Sequence, residues 1–234
     1  MIEFGHATHA GLHREHNEDT YWADAQLGLF LVVDGMGGHG RGEVAAAIVR
    51  DTVVDAALAE REFDTAIRGA GETIATWVSE ATGSSPMGAT LALLKVWPDG
   101  FEVVRIGDAR VCLFQHGRLQ AMCGNDSAVA IHHDEPPSIG VLASGDAERN
   151  RITQALGITP SEDLSTRPSF GIPERGMQFL LCTDGLTEEL DDTHIAAVLA
   201  RTDLAAQECV DHLLLAALDA GGRDNISLIL VRVL

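Results

Sequence analysis

The sequence predicts an α+β fold in which helix pairs pack against antiparallel sheet. Three observations carry that expectation. The apolar pattern runs strand, two helices, several short strands, strand, two helices, strand, without the strict alternation of a doubly wound fold. The short central runs are separated by Gly- and Asp-containing turns, as in an antiparallel meander. The 234 residues contain no internal repeat and no low-complexity tract, so a globular chain with disorder only in short loops is expected.

Each element follows from its local pattern. "IEFGHATHAG" near the N-terminus reads at least as well as a strand as it does as a helix, because Gly5 and Gly11 weaken a helix. Residues 27–33, "LGLFLVV", read as a strand buried for most of its length. A helix is expected at about 42–60, with Val44, Ala47, Ile48, Val53 and Ala57 recurring at roughly helical spacing. A second helix, about 63–81, follows with no strand between, and "GSSP" (83–86) breaks it. Strands are expected at 90–96, 101–106, 110–114 and 118–122, joined by "PDG", "GDA" and "QHG". Residues 124–176 are irregular, with a helical stretch at 148–157. A strand at 177–185 ends in Asp-Gly, helices follow at about 192–201 and 203–220, and 225–233 is a final strand.

Composition narrows the function. The net charge is -19, from 35 acidic and 16 basic residues, which argues against nucleic acid and against docking on anionic membrane. Acidic excess is a common solubility device, and part of it is available to hold divalent cations. Cys112, Cys123, Cys182 and Cys209 show no C-x-x-C spacing and read as reduced core residues of a cytosolic protein. The N-terminus lacks a signal-peptide pattern, and no apolar run approaches the ~20 residues needed to span a bilayer.

"FLVVDGMGGHGRGE" (30–43) holds glycines at G-x-G-x-x-G spacing after a strand and before a helix. A dinucleotide site also needs a second strand soon after that helix, but here a second helix comes next and no strand arrives until about Leu91. A phosphate-binding loop of the G-x-x-x-x-G-K type is excluded because no Lys lies near. Asp34 is the more informative residue. A carboxylate closing an apolar strand is costly unless it is used. The pattern recurs in "LVVDG" at Asp34, "RIGDA" at Asp108, "LCTDG" at Asp184 and "GRDNI" at Asp224. One Asp-Gly alone is usually a turn. Strand-terminal carboxylates from distant parts of a chain can instead converge at one sheet edge, where cations such as Mg²⁺ or Mn²⁺ offset their repulsion. "HREHNEDT" (13–20) adds Arg14 as a phosphate clamp, with Glu18 or Asp19 joining the carboxylates. A rival metal site, His6, His9, His13 and His16 along one helical face holding Zn²⁺, competes with the bland reading of surface histidines. His132 and His133 receive that bland reading too.

Taken together, these residues resemble the metal-dependent protein phosphatases of the 2C type, in their bacterial branch. "REHNED", "VVDGMGGHGRGEVAA", "SSPMGATLALL", "VVRIGDARVCLFQHGRL", "RNRITQALG", "FLLCTDGLTEEL" and "AGGRDNISLILVRV" match the family's segments in order along nearly the whole chain. Ala109 and Thr183 stand where the family usually has Ser. The resemblance implies one domain over residues 1–234, built as a four-layer α-β-β-α sandwich of two antiparallel sheets flanked by helix pairs. It implies two Mn²⁺ or Mg²⁺ ions held by Asp34, the Gly35 carbonyl, Asp184 and Asp224, with Glu18 acting through water and Asp108 holding a third, weaker ion. Arg14 would hold the phosphate. Two divalent ions about 3.5–4 Å apart turn a bridging water into a hydroxide near neutral pH, which would attack the phosphorus of phosphoserine or phosphothreonine in line.

Departures fall in two places. Met36 follows Asp34-Gly35 where animal relatives carry His, so the general acid is either His39 or a metal-bound water. The segment after the meander has Asn125-Asp126-Ser127 in place of the family's Asp-His-Ser run, with Ser127 expected to face the site and a variable flap at about 126–150. The resulting expectation is a monomeric, cytoplasmic serine/threonine protein phosphatase opposing a bacterial Ser/Thr kinase and acting on the kinase or its targets. The alternatives are a silent scaffold that binds phosphoprotein, an enzyme for small phosphomonoesters and, disfavoured by topology, a nucleotide-dependent oxidoreductase.

Overall fold

The computed structural model describes residues 1–38, 40–80, 86–122 and 154–234. Strands β1 (Ile2–His9), β2 (Asp19–Asp24) and β3 (Leu29–Gly37) precede helices α1 (Arg41–Leu58) and α2 (Phe63–Glu80). Then come β4 (Met87–Ala89), β5 (Leu91–Trp97), β6 (Gly100–Ile106), β7 (Arg110–Gln115) and β8 (Arg118–Ala121). The chain ends with β9 (Ser169–Gly171), β10 (Gln178–Cys182), α3 (Asp184–Thr187), α4 (Asp192–Leu199), α5 (Ala206–Ala220) and β11 (Ile226–Val233). One sheet has the order β1-β11-β10-β7-β8, the other β2-β3-β5-β6-β9 with β4 added to β3. All the pairings between these strands are antiparallel.

The period of two along each strand sorts the apolar residues into layers. Leu29, Leu31 and Val33 face α1 and α2, while Phe30 and Val32 face the second sheet. On that second sheet, Phe179, Leu181, Ile229 and Val231 point inward. Leu180, Cys182, Leu228 and Leu230 point out towards α3, α4 and α5. Three apolar layers therefore separate four structural ones, giving the expected α-β-β-α sandwich. Strands buried on both faces need apolar residues at most positions, which is why β3 reads as an apolar run up to Asp34, and β10 and β11 as runs interrupted only by the hydrogen-bonded Gln178, Ser227 and Arg232. The three described cysteines, Cys112, Cys182 and Cys209, are free and buried.

The structure departs from the expected elements in particular places. The central runs do not form one meander. They are two hairpins, β5–β6 in one sheet and β7–β8 in the other, and Gly107 at φ 82° turns the chain between sheets. The buried face of α1 runs through Gly42, Ala45, Ala46, Val49 and Val53, whereas Val44 is exposed. Close packing of the helix start on β3 sets that face: a Cβ at Gly35 would collide with the Gly42 carbonyl. Of the helix expected at 148–157, residues 148–153 lie outside the described residues, and 154–157 are not helical. Leu156 instead forms a bridge with Ala89, donating at 2.9 Å and accepting at 3.0 Å. Strands β2, β4 and β9 and the single turn α3 lack a periodic signal long enough to announce them.

The inter-sheet layer should dominate stability. Phe101 and Phe179 meet edge to face with ring centroids 5.0 Å apart, and both are fully buried. Phe179→Ala should cost about 3–5 kcal/mol in urea denaturation without added metal.

Candidate metal centre

The strands of both sheets bring their carboxylates to one edge of the sandwich. Asp34 lies within β3, which continues to Gly37 because β4 pairs with it there. Asp108 occupies the turn between sheets, Asp184 opens α3 with only Thr183 between it and β10, and Asp224 lies before β11 with only Asn225 between. Asp34, Asp108 and Asp184 each offer an oxygen within 4.8 Å of the others. Asp34 also faces Asp19 of β2 directly across the ladder, an arrangement that like charges disfavour. A cleft of about 530 Å³ opens over this edge, with Arg14, Glu18, Asp34, Gly35, Asp184 and Asp224 among its lining residues.

Burial and mutual repulsion dominate the electrostatics. Burial first, then the charges of Asp19, Asp184, Asp108 and Asp224, push Asp34 up to about 9. Asp184 rises to about 7, through burial and then Asp108, Glu188, Asp224 and Asp19. Asp19 rises to about 7 through burial, although hydrogen bonds from Ser227 and Thr183 hold it down in part. Burial also raises Asp108. The Oδ1 atoms of Asp19 and Asp108 are buried without a hydrogen-bond partner among the described residues. An all-oxygen, partly orphaned donor set of this kind suits hard divalent cations.

A network of neutral groups supports the carboxylates. Thr183 donates to Asp19 at 2.9 Å and accepts from the Ser227 amide at 3.0 Å. The Ser227 hydroxyl meets that of Thr8 at 2.8 Å, and Asn17 donates to Thr8 at 2.8 Å. Thr183, where the family usually has Ser, therefore keeps the hydroxyl's work. Glu18 accepts from the Gly42 amide at 3.2 Å, in the first turn of α1, where the helix dipole favours an anion. A Cβ at Gly42 would run into the Glu18 carboxyl group, so glycine is required at this contact.

Arg14 pairs with Asp224 rather than with the triplet, although Asp184 and Asp34 also act on its charge. Its guanidinium donates to Asp224 at 2.6 Å, so the expected phosphate clamp and the expected fourth aspartate are brought to each other. Asn225 organises the loop that carries both Arg14 and Glu18. It donates to the carbonyls of Ala10 and His16 at 2.9 Å each and accepts from the Glu18 amide at 2.8 Å. Glu189 does the same for the Asp224 loop. Its side chain is 2% exposed and accepts from the Arg223 amide at 2.9 Å and from the guanidinium at 2.9 and 3.0 Å. Sequence reasoning assigned neither residue a role. Both stood inside quoted motifs, Asn225 in "AGGRDNISLILVRV" and Glu189 in "FLLCTDGLTEEL", but only the neighbouring aspartates were singled out.

Other expectations resolve differently. His6 and His9 lie on strand β1, so the helical histidine face does not form. His6 stacks against Phe4 and Tyr21, and His9 accepts from the Gly11 amide at 2.9 Å. His16 and Met36 line the cleft. His39, Ser127, His132, His133 and the flap at 126–150 lie outside the described residues.

A family model described as protein phosphatase 2C matches residues 8–219. Serine/threonine protein phosphatase PstP of Mycobacterium tuberculosis is 30% identical over 245 residues, covering 100% of this chain. The chain spans 45% of the length of that relative. Serine/threonine phosphatase stp of Listeria welshimeri is 27% identical over 242 residues, covering 96% of this chain and 93% of the relative. Among solved structures, the catalytic domain of PstP in complex with two manganese ions matches with a TM-score of 0.81 and 27% identity, covering 99% of this chain and 97% of that one.

The raised carboxyls make a signed prediction for the metal-free protein. Asp34 ionises near its ordinary value of 3.8 when unfolded but near 9 when folded, so its contribution to stability is lost as pH rises between those values. In EDTA, Asp34→Asn should therefore gain stability over wild type progressively from pH 5 to about 9. Mn²⁺ at about 100 times its dissociation constant should add ~2.7 kcal/mol to wild type, about 5–10 °C in Tm, and less to the variant. Melting curves at three pH values check both.

Proposed function

The chain belongs to the protein phosphatase 2C family, and from that premise we propose that it is a metal-dependent protein serine/threonine phosphatase. The observation that carries the reading is the oxygen-only cluster of Asp34, Asp108 and Asp184, of which Asp34 and Asp184 line an open cleft together with Arg14. Asp34, Asp184, Asp224 and the Gly35 backbone would hold two divalent cations, Mn²⁺ or Mg²⁺, with Glu18 acting through water and Asp108 beside Asp184 available to a third. When bound, the ions would supply a nucleophile from water near neutral pH and offset charge on the phosphoryl oxygens.

The chain's own residues supply the rest. Arg14 can offer two parallel N–H donors to phosphoryl oxygens, and its half-exposed position lets it turn from Asp224 to a ligand in the cleft. The departing serine or threonine oxygen needs a proton. Met36 has none to give. His39 remains a candidate donor, and His16 joins it because it lines the cleft. The pairing of β1 with β11 joins the two ends of the sequence and supports reading residues 1–234 as one domain. No helix among the described residues is long and apolar enough to cross a membrane. The physiological reading is a cytoplasmic monomer acting on phosphorylated proteins, among them a Ser/Thr kinase and its targets.

The purified protein should hydrolyse p-nitrophenyl phosphate and a phosphothreonine peptide with Mn²⁺, and EDTA should abolish both. Binding of the phosphopeptide without turnover across pH 7–9 would favour the scaffold reading instead. Arg14→Ala should raise KM for the peptide by about 10-fold or more with a smaller change in kcat. Glu189→Gln should weaken Mn²⁺ affinity about 10-fold in calorimetry, through loss of order in the Asp224 loop. Unchanged affinity would remove Glu189 from the positioning set.

A further inference from the structure

At the far end of the same sheet, β5 and β6 outrun the helices that cover them. Leu91, Leu93, Val104 and Ile106 lie under α1 and α2. By the same period of two, Lys95, Trp97 and Glu102 continue that face beyond the end of α1 at Leu58, with Phe170 of β9 in register with Glu102. The link between the helices forms the facing wall, and together they enclose a cleft of about 570 Å³.

The cleft combines two unusual features. Trp97 and Phe170 are 37% and 49% exposed. Trp97 is folded onto Gly100, where any Cβ would meet its ring, so its indole is held in place rather than loose. The charges are also unbalanced. Lys95 turns its amine to the Leu27 carbonyl, and Asp64 is taken by Arg68 and Thr166. Glu60, Glu62 and Glu102 line the cleft with no side-chain hydrogen bond or salt bridge among the described residues, and they outnumber its cations, Arg61 and Lys95, the latter close enough to Glu60 to feel its charge. Glu60 occupies the left-handed position that ends α1, at φ 52°. The Arg61 amide reaches the Ala56 carbonyl at 2.8 Å, in a helix-ending motif that ordinarily takes glycine there. A strained acidic residue thus stands at the cleft wall. Burial, reinforced by Glu62, also holds the Glu102 carboxyl above its ordinary range.

We propose that this cleft docks a lysine- or arginine-bearing segment of the phosphoprotein substrate. The cation would lie among Glu60, Glu62 and Glu102, and its alkyl stem along Trp97 and Phe170. The identity of the partner as substrate rests on the phosphatase reading; the affinity for a basic segment does not. The two clefts lie towards opposite ends of β3. In β3, Leu29 is in register with Lys95 and lies five residues before Asp34, about 17 Å along the strand.

The test uses phosphothreonine peptides with and without a basic block about 8–12 residues from the phosphorylated residue, assayed with Mn²⁺. In wild type the block should lower KM about 10-fold at unchanged kcat. Glu102→Lys should erase that advantage, while p-nitrophenyl phosphate turnover and KM for the plain peptide stay at wild-type values. Trp97→Leu should erase part of it. No advantage in wild type, or an equal advantage in Glu102→Lys, overturns the proposal. Calorimetry with an unphosphorylated basic peptide separates the two readings. Binding weakened about 10-fold by Glu102→Lys supports the docking site even in a protein without turnover. Equal binding to both proteins rejects it even in an active one.

Discussion

Asp34, Asp108 and Asp184 offer oxygens within 4.8 Å of one another, and like charges that close and that buried repel strongly. A chain left to hydrophobic burial alone would not collect them. The fold collects them because strands of both sheets end at the same edge, and three apolar layers on either side of those sheets hold the strand ends in place. Protonation relieves the repulsion in the metal-free state, which is why burial and mutual charge drive Asp34 up to about 9 and Asp184 to about 7. A divalent cation held there would relieve it differently, by offsetting the charge and letting the carboxylates stay ionised. The carboxylate cluster is therefore a local weakness of the sandwich that becomes a strength only when something cationic is bound.

The edge needs ordering of its own, since loops supply much of it. Asn225 and Glu189 act as opposite kinds of fastener. Asn225 uses a neutral amide to tie the N-terminal loop to the root of β11, reaching Ala10 and His16 across the whole sequence. Glu189 uses a sheltered charge to hold the Arg223 amide and guanidinium at once. A neutral group next to the carboxylate cluster adds no further repulsion, whereas Glu189 stands behind Arg223, which neutralises it. Charge is thus placed where it is paired and withheld where it would add to the crowd.

Much of this was legible in the sequence, for physical reasons that also explain the rest. Strands buried on both faces advertise themselves as largely apolar runs, so β3, β10 and β11 could be read directly. Edge strands such as β2 and β9 bury little and carry no such run. The face of α1 was misjudged because Val44 is more apolar than Gly42 or Ala45, yet the contact between Gly35 and Gly42 decides which side can approach the sheet. The aspartates stood out because a carboxylate next to an apolar strand is costly without a purpose. Asn225 and Glu189 did not, because their roles depend on partners brought close only by folding. A second cleft made by sheet outrunning helix could not be read at all without knowing where α1 stops.

The pairing of Arg14 with Asp224 has a consequence for how the two clefts' ligands would be ordered. Arg14 can face Asp224 or a phosphoryl group, and at 2.6 Å it is committed to Asp224 when nothing else occupies the site. Turning Arg14 towards phosphate leaves Asp224 uncompensated beside the Asp34 cluster, which raises the cost of that turn. A cation that takes over Asp224 removes the cost. Cation and phosphate would then favour each other's binding, and by reciprocity each must strengthen the other by the same factor. A basic segment docked at the far cleft, about 17 Å away along β3, would hold a substrate near the site without touching this exchange. Selection of the protein partner and readiness of the metal centre would be separate properties, one set by Glu102 and Trp97 and the other by Arg14 and Asp224.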